Sequence, residues 1–331
     1  MNDIPCIDIA PFLRGTATDK AATARAFGRA FEEIGFATIV GHDVPENLTR
    51  RTYDAALAFF ELPLAEKMAA MPPERVKSRG YLPVGIESVA RTRGDDRPAD
   101  LCEALVFQGL NRDAEDLPPD SISPVTGNVV PRQPVQLYPL YRAYFMAMRD
   151  LVGALMQLSA LALDLPETFF DRFMDNRRGT LRTVFYPDQP AEPKPGQLRY
   201  GAHSDYGGLT ILRQDDAPGG LQACLKSGAW IDVPPIPGSF VLNIGDLMAR
   251  WTNDRWRSTL HRVMNPSRDI TGSTQRLSLV FFSGPNDDAL IECLPTCRDT
   301  GHPAKYPPVR AAEYVASKLS ASMPEKLTRP L

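Results

Sequence analysis

The sequence predicts a mainly β protein with flanking helices, its strands closed into a jelly roll or barrel. Three observations carry this. After residue 179 come "TLRTVFY", "GGLTILR", "GLQACL", "AWIDVP", "SFVLNIG", "STLHRVM" and "QRLSLVFFS", short β-rich runs separated by turns and by no helix-length pattern. Ahead of them stand two strand-then-helix pairs with no glycine-rich phosphate loop between, so a dinucleotide-binding fold finds no support. At 331 residues, 43% hydrophobic and 23% charged, the chain can bury a sizeable core as one large domain with an appended region.

Taken in order, "IPCIDIAPF" at 4–12 alternates apolar and polar residues like a short strand, and 21–34 repeats apolar residues at helical spacing. "GFATIVGHDVP" at 35–45 is a β-branched run closed by Gly41 and Pro45, and a second helix is expected over 46–60, before Pro63 interrupts the pattern. From 71 to 136 proline, glycine and charge dominate, which reads as irregular surface loops of the kind that line clefts. Residues 137–165 offer one or two amphipathic helices with Tyr138, Tyr141, Phe145, Met148, Leu151 and Leu155 on one face, a core stripe. The strand runs follow, and "AAEYVASKLSASM" returns to helical spacing. Residues 1–120 are thus expected as helices and loops packed on a core of 121–331, the two forming one unit.

The 37 basic and 40 acidic residues are mixed along the chain, giving a net charge of -3 and no basic block to grip phosphates, so no nucleic-acid partner is expected. Residues 1–11 lack a basic start followed by an apolar core, and "LVGALMQLSALALDL" at 151–165 is too short to span a bilayer. The expectation is a soluble cytoplasmic protein, monomeric by default, acting on a small molecule without a membrane. Five scattered cysteines fit reduced thiols better than a disulfide framework. Cys293, Cys297 and His302 imitate a zinc cluster but lack a fourth ligand.

The chemistry gathers around four histidines. His203 and Asp205 stand two apart in "GAHSDYGGLTIL", and side chains two apart on an extended strand face the same way. His261 follows in another β-rich run that a barrel can bring opposite. Two imidazoles and a carboxylate on one face leave three metal positions open, the arrangement of non-haem Fe(II) oxygenases. In "QRLSLVFF", Arg276 and Ser278 are again two apart, able to grip a carboxylate with two guanidinium bonds and a hydroxyl. A lone histidine in a strand is more often structural; the clamp beside the ligands is what makes a site.

"HSD" at 203–205, "HRV" at 261–263 and "RLS" at 276–278 resemble the Fe(II)/2-oxoglutarate-dependent dioxygenases of the isopenicillin N synthase-like family. The resemblance runs through nearly the whole chain: "IPCIDIAPF", "IGFATIVGHDVP", "LPLAEK", "RGYLPVG", "LRTVFYP", "LNIGDLMARWTNDRWRSTLHRV" and "KYPPVRAAEYVASKL" are all similar to segments of that family. It implies a distorted double-stranded β-helix core, with His203, Asp205 and His261 as iron ligands. It also implies that Arg276, Ser278 and Tyr186 hold the far carboxylate of 2-oxoglutarate. Many plant members carry asparagine where this chain has Val184, a departure that bears on a polar contact near the iron end of the cosubstrate and not on the clamp.

The implied reaction uses 2-oxoglutarate and dioxygen as cosubstrates, decarboxylates the former to succinate and carbon dioxide, and hydroxylates an unactivated C–H bond; desaturation, epoxidation and ring closure share the same chemistry. Substrates in view are small secondary metabolites, amino-acid derivatives and other small organic acids. Pocket residues are sought among Tyr81, Phe107, Arg182, Tyr206 and Phe282, with Arg91 and Arg93 in the charged loop able to meet an anion, and Gly207 and Gly208 turning the backbone beside the metal. His42 reads as structural and His302 as surface. Two competing readings stay open: a same-fold oxidase that grips its own substrate's carboxylate and uses no 2-oxoglutarate, and a non-catalytic binding protein on the same barrel.

Overall fold

Alternation along the strands decides the architecture, because the central strands of the major sheet turn one face toward helices and the other toward a second sheet. The computed structural model describes residues 3–72, 79–94, 97–113, 116–175, 179–189 and 191–322. The chain begins with β1 (Cys6–Asp8), α1 (Ala10–Arg14), α2 (Ala17–Glu33), β2 (Phe36–Val40), α3 (Glu46–Phe60) and α4 (Leu64–Ala69). Thr16 opens α2 with a capping box shared with Asp19, and Pro63 separates α3 from α4. Next come β3 (Gly80–Leu82), β4 (Glu103–Gln108), β5 (Ser121–Ile122), β6 (Val129–Val130) and the long α5 (Leu137–Ala162). Then follow β7 (Gly179–Tyr186), β8 (Tyr200–His203), β9 (Leu209–Gln214), β10 (Leu221–Cys224), β11 (Trp230–Asp232), β12 (Phe240–Ile244), α6 (Asp246–Trp251), β13 (His261–Val263) and β14 (Arg276–Ser283). The described chain ends with β15 (Leu290–Ile291), β16 (Val309–Arg310) and α7 (Ala311–Ser322).

Eight strands form the major sheet in the order β1-β2-β12-β9-β14-β7-β4-β3, and four form the minor sheet, β11-β10-β13-β8. On the major sheet Leu181 and Phe185 of β7, Leu277, Leu279 and Phe281 of β14, and Leu242 and Ile244 of β12 join one apolar cluster with α2, α3 and α5. Their neighbours face the other way. Val184, Tyr186, Leu212 and Val241 pack against Leu221, Ala223 and Val263 of the minor sheet, which makes the space between the sheets the interior of a jelly roll. β1 to β4 are strands of that same sheet, so residues on either side of position 120 share one hydrogen-bonded ladder.

α5 is long and apolar enough to cross a membrane by length and composition. Here its apolar face is core: Tyr138, Tyr141, Phe145, Met148, Leu151 and Leu155 are all buried, and Tyr141 bonds Thr183 of β7 across 2.5 Å.

The stretch expected to be irregular, 71–136, contains β3 and β4, which extend the major sheet beyond β7. This corrects two expected pocket residues. Phe107 and Leu105 point to the helix side, where Phe107 is fully buried with its ring 5.3 Å from Tyr141; Val106 and Gln108 face the cavity instead. Tyr81 likewise turns to the helices, its ring against Phe59 and its hydroxyl donating to Glu103 at 2.6 Å. Glu103 also receives Lys67 Nζ at 2.6 Å, so a buried ion pair ties α4 to β4. Phe107→Ala is accordingly expected to cost about 3–5 kcal/mol of stability in denaturant unfolding, with substrate affinity unchanged; a weakened substrate affinity at unchanged stability would restore it to the pocket.

Candidate active site

His203 ends β8 and His261 begins β13, and the antiparallel register places them directly opposite, ring centroids 4.1 Å apart. Each ring is set by the same local device: His203 Nδ1 lies 2.9 Å from the carbonyl of Gly201, and His261 Nδ1 lies 3.1 Å from that of Thr259. A carbonyl only accepts, so Nδ1 carries the proton and Nε2 keeps its lone pair for a ligand. Asp205 follows two residues after His203. Its Oδ2 accepts from Thr210 Oγ1 at 2.5 Å and from Asn243 Nδ2 at 2.6 Å, and its Oδ1 stands 3.7 Å from both Nε2 atoms.

Burial, then the neighbouring His261, push the His203 imidazole down to about 3. Burial pushes the Asp205 carboxyl up, but the two imidazoles and the bonds from Thr210 and Asn243 outweigh it and leave it below its ordinary value. Neutral nitrogen and ionised oxygen are the forms that bind a metal. Three such atoms, all within 4.8 Å of one another and with the remaining hydrogen-bonding capacity spent on the protein, fit a non-haem Fe(II) ion with open positions.

The residues expected to form the clamp, Arg276 and Ser278, lie on β14 with their side chains between the sheets. Arg276 and Ser278 are 2% and 1% exposed. Arg276 Nη1 donates to Ser278 Oγ at 2.5 Å and Nη2 to Gln214 Oε1 at 2.9 Å, both neutral acceptors, and Asp215 Oδ1 is 3.9 Å from Nε. Tyr186 pairs with Arg276 in the ladder, and the guanidinium sits 5.2 Å from its ring centre. The Tyr186 hydroxyl makes no hydrogen bond among the described residues. Val184 lies opposite Ser278 in an apolar surround, so the wall that carries asparagine in many plant members is hydrocarbon here.

A cavity of about 520 Å³ reaches His203 and Asp205. Arg182, Tyr206 and Phe282 line it, together with Val106 and Gln108 of β4, and Ala311, Ala312, Val315 and Ala316 of α7 roof it. Arg182 makes a two-pronged ion pair with Glu87, Nη1 to Oε1 at 3.1 Å and Nη2 to Oε2. The roof is fastened at Asp246, whose Oδ2 accepts from Tyr314 at 3.0 Å and lies 3.2 Å from Lys318 Nζ. The Asp246 N–H in turn donates to the Asp205 carbonyl at 2.7 Å.

Gly207 serves a close approach: a Cβ there would stand 2.5 Å from the Ser283 carbonyl oxygen, whereas one on Gly208 would stand 3.6 Å away. Arg91 is exposed, and the side chain of Arg93 lies outside the described residues. His42 packs on Phe240 and bonds the Gly238 carbonyl, and His302 is an exposed partner of Asp299. Among the described residues the three ligands above are the only metal-competent cluster, so Cys293, Cys297 and His302 do not form one.

Thr210, Asn243, Gln214 and Glu87 escaped the sequence reading. Asn243 interrupts the apolar run "SFVLNIG" and Gln214 ends "GGLTILRQ", and a polar residue inside a buried strand is the signal that could have found them. Asn243→Ala is expected to weaken Fe(II) binding roughly 10–100-fold, as loss of an outer-shell partner does; unchanged affinity by anaerobic titration would show that Thr210 alone orients Asp205.

Residues 177–285 match the 2OG-Fe(II) oxygenase superfamily, and residues 4–123 match the N-terminal region described as non-haem dioxygenase in morphine synthesis. The chain belongs to the 2OG-Fe(II) oxygenase superfamily, in agreement with its resemblance to isopenicillin N synthase-like enzymes. It is 33% identical to the 2-oxoglutarate-Fe(II) type oxidoreductase hxnY of Emericella nidulans, over 94% of this chain and 88% of the other. It is also 33% identical to a homoarginine-6-hydroxylase of Oryza sativa subsp. japonica, over 96% of each. A full-length Neurospora crassa protein, solved in complex with alpha-KG (2-oxoglutarate), superimposes with a TM-score of 0.83 at 30% identity over 96% of each chain. The same protein has been solved with thymine as well, at 29% identity and the same TM-score of 0.83 over 96% of each chain. The protein is thus a non-haem dioxygenase that uses Fe(II), 2-oxoglutarate and dioxygen, and the oxidase that dispenses with 2-oxoglutarate is not favoured.

Proposed function

We propose that this enzyme hydroxylates an unactivated C–H bond of a small organic molecule seated in the 520 Å³ cavity. In this reading His203, Asp205 and His261 hold Fe(II), and Arg276, Ser278 and Tyr186 hold the far carboxylate of 2-oxoglutarate. One observation carries it: the cavity is lined by His203 and Asp205 but by none of the three clamp residues, so substrate and cosubstrate have separate seats that meet at the triad. The relatives support a small substrate, since one is named for homoarginine and another was solved with thymine.

When bound, the iron supplies the oxidising power, drawn from dioxygen and the decarboxylation of 2-oxoglutarate to succinate. The chain's own groups position and exclude. Gly201 and Thr259 fix the two rings, Thr210 and Asn243 keep one Asp205 oxygen occupied, and the Arg182–Glu87 pair offers the substrate both a donor and an acceptor beside His203. Phe282 and Tyr206 supply flat apolar walls, and α7 adds small apolar side chains to the lining.

The same reading makes the enzyme a cytoplasmic monomer acting on secondary metabolites, amino-acid derivatives or related small acids, with no nucleic-acid partner. Free cysteines and the mixed charge of net -3 support that setting. The test is an anaerobic titration with Fe(II) and then 2-oxoglutarate, followed by the visible charge-transfer band of a chelated keto acid, with succinate release then scored against panels of amino-acid derivatives and nucleobases. The band is expected. Iron binding without it would favour an oxidase that grips its own substrate, and no iron binding would end the catalytic reading.

A further inference from the structure

Arg199 stands just before β8 and is fully buried. Its guanidinium is held by backbone carbonyls alone: Nη1 donates to Pro218 at 2.6 Å and Gly219 at 3.4 Å, Nη2 donates to Thr274, and Nε has no partner. No carboxylate oxygen of the described residues lies within 4.0 Å of it. Carbonyl dipoles orient a guanidinium but leave its full charge in place, and a buried charge without a counter-ion is costly. Arg199 lies 5.9 Å from the ring centre of Tyr186, the ring that Arg276 approaches to 5.2 Å. The carboxylate nearest Arg276, Asp215, already accepts from Tyr53 at 2.8 Å and from the Leu277 N–H at 2.7 Å. This end of the barrel therefore holds two buried cations around one tyrosine, and the two carboxylates that act on Arg199 from beyond contact, Asp215 and Asp188, are both already engaged, Asp188 by the Thr274 N–H at 2.6 Å.

We propose that Arg199 is a further electropositive residue of the cosubstrate site. Its charge, which no carboxylate of the described residues contacts, acts across Tyr186 on the far carboxylate docked at Arg276 and Ser278, and so selects 2-oxo diacids over 2-oxo monoacids. The proposal rests on the clamp reading given above. Burial and then the charge of Arg276 pull the Arg199 guanidinium down to about 10, which leaves it cationic at neutral pH. The alternative role for Arg199 is a staple that joins the β9–β10 turn to the segment entering β14, which would affect every keto acid alike.

The experiment titrates the full-length Fe(II)-loaded protein anaerobically with 2-oxoglutarate and with 2-oxopentanoate, which carries a methyl group in place of the far carboxylate, and reads Kd from the charge-transfer band. Thermal shift of the metal-free protein with each acid gives a second readout. Arg199→Gln is expected to weaken 2-oxoglutarate about tenfold, the order for one buried charge acting beyond contact range, while leaving 2-oxopentanoate unchanged. Arg199→Lys keeps the charge without the carbonyl fork and is expected to keep the diacid preference. Equal loss of both acids in Arg199→Gln, no loss of either, or a collapsed diacid preference in a folded Arg199→Lys protein would overturn the proposal. If Arg199→Gln does not fold, the Arg199→Lys ratio alone decides. A wild-type protein that binds both acids equally would instead overturn the clamp reading on which this one stands.

Discussion

Asp205→Ala protein is expected to lose stoichiometric Fe(II) binding and, with it, both the charge-transfer band and succinate formation. The substitution removes the only anionic member of the triad and leaves two neutral imidazoles to hold a dication. It also strands the donors of Thr210 and Asn243, 5% and 3% exposed, which now have no acceptor at that point. Since loss of an outer-shell partner costs roughly 10–100-fold in metal affinity, loss of the ligand itself is expected to cost more than that. Anaerobic iron titration is the direct check. Iron binding at wild-type strength in this variant would sink the assignment of Asp205 as a ligand and with it the three-ligand site.

The second large effect falls on the cosubstrate. Arg276→Ala is expected to weaken 2-oxoglutarate by about 10²- to 10³-fold while Fe(II) binding persists, in keeping with the several kcal/mol lost when one partner of a buried charged hydrogen-bonding pair is removed. The guanidinium is buried, its two Nη atoms are bonded to neutral acceptors, Ser278 and Gln214, and Asp215 stands at 3.9 Å from Nε, so no carboxylate occupies the Nη side that an incoming anion would meet. Arg276→Lys should recover only part of the loss, since an ammonium cannot present two parallel donors. Iron affinity and keto-acid affinity, measured on the same samples, separate the triad from the clamp. Loss of both together would mean that Arg276 supports the fold rather than the cosubstrate.

The parts of this molecule legible from sequence were those with a period or a fixed spacing. α3 and α5 show their helical stripes, and the strands that follow show their turns; His203 with Asp205, and Arg276 with Ser278, are two apart because strand alternation demands it. Tyr81 and Phe107 were misplaced for a physical reason. β4 reads "EALVFQ" and is buried on both faces, so nothing in the run says which parity meets the helices. The partner of Arg182 was equally hidden, because Glu87 lies 95 residues earlier, in a stretch without a pattern. α7 could be read as a helix, but what it roofs depends on where Asp246 fastens it.

β14 carries the clamp at one end and cavity-lining residues at the other. It is hydrogen-bonded to β7 along its whole length and to β9 over most of it. A doubly laced strand works as a ruler: at about 3.4 Å per residue, the spacing between Arg276 and Phe282 is inextensible. An insertion or deletion between them would not lengthen or shorten the seats; it would turn one group to the opposite face. Point changes at Phe282, at Arg182 on β7 or at Gln108 on β4 leave that spacing untouched. With the seats as proposed, substrate choice can therefore be redrawn at the open end while the cosubstrate seat stays as it is, which makes the two ends of one strand separately engineerable.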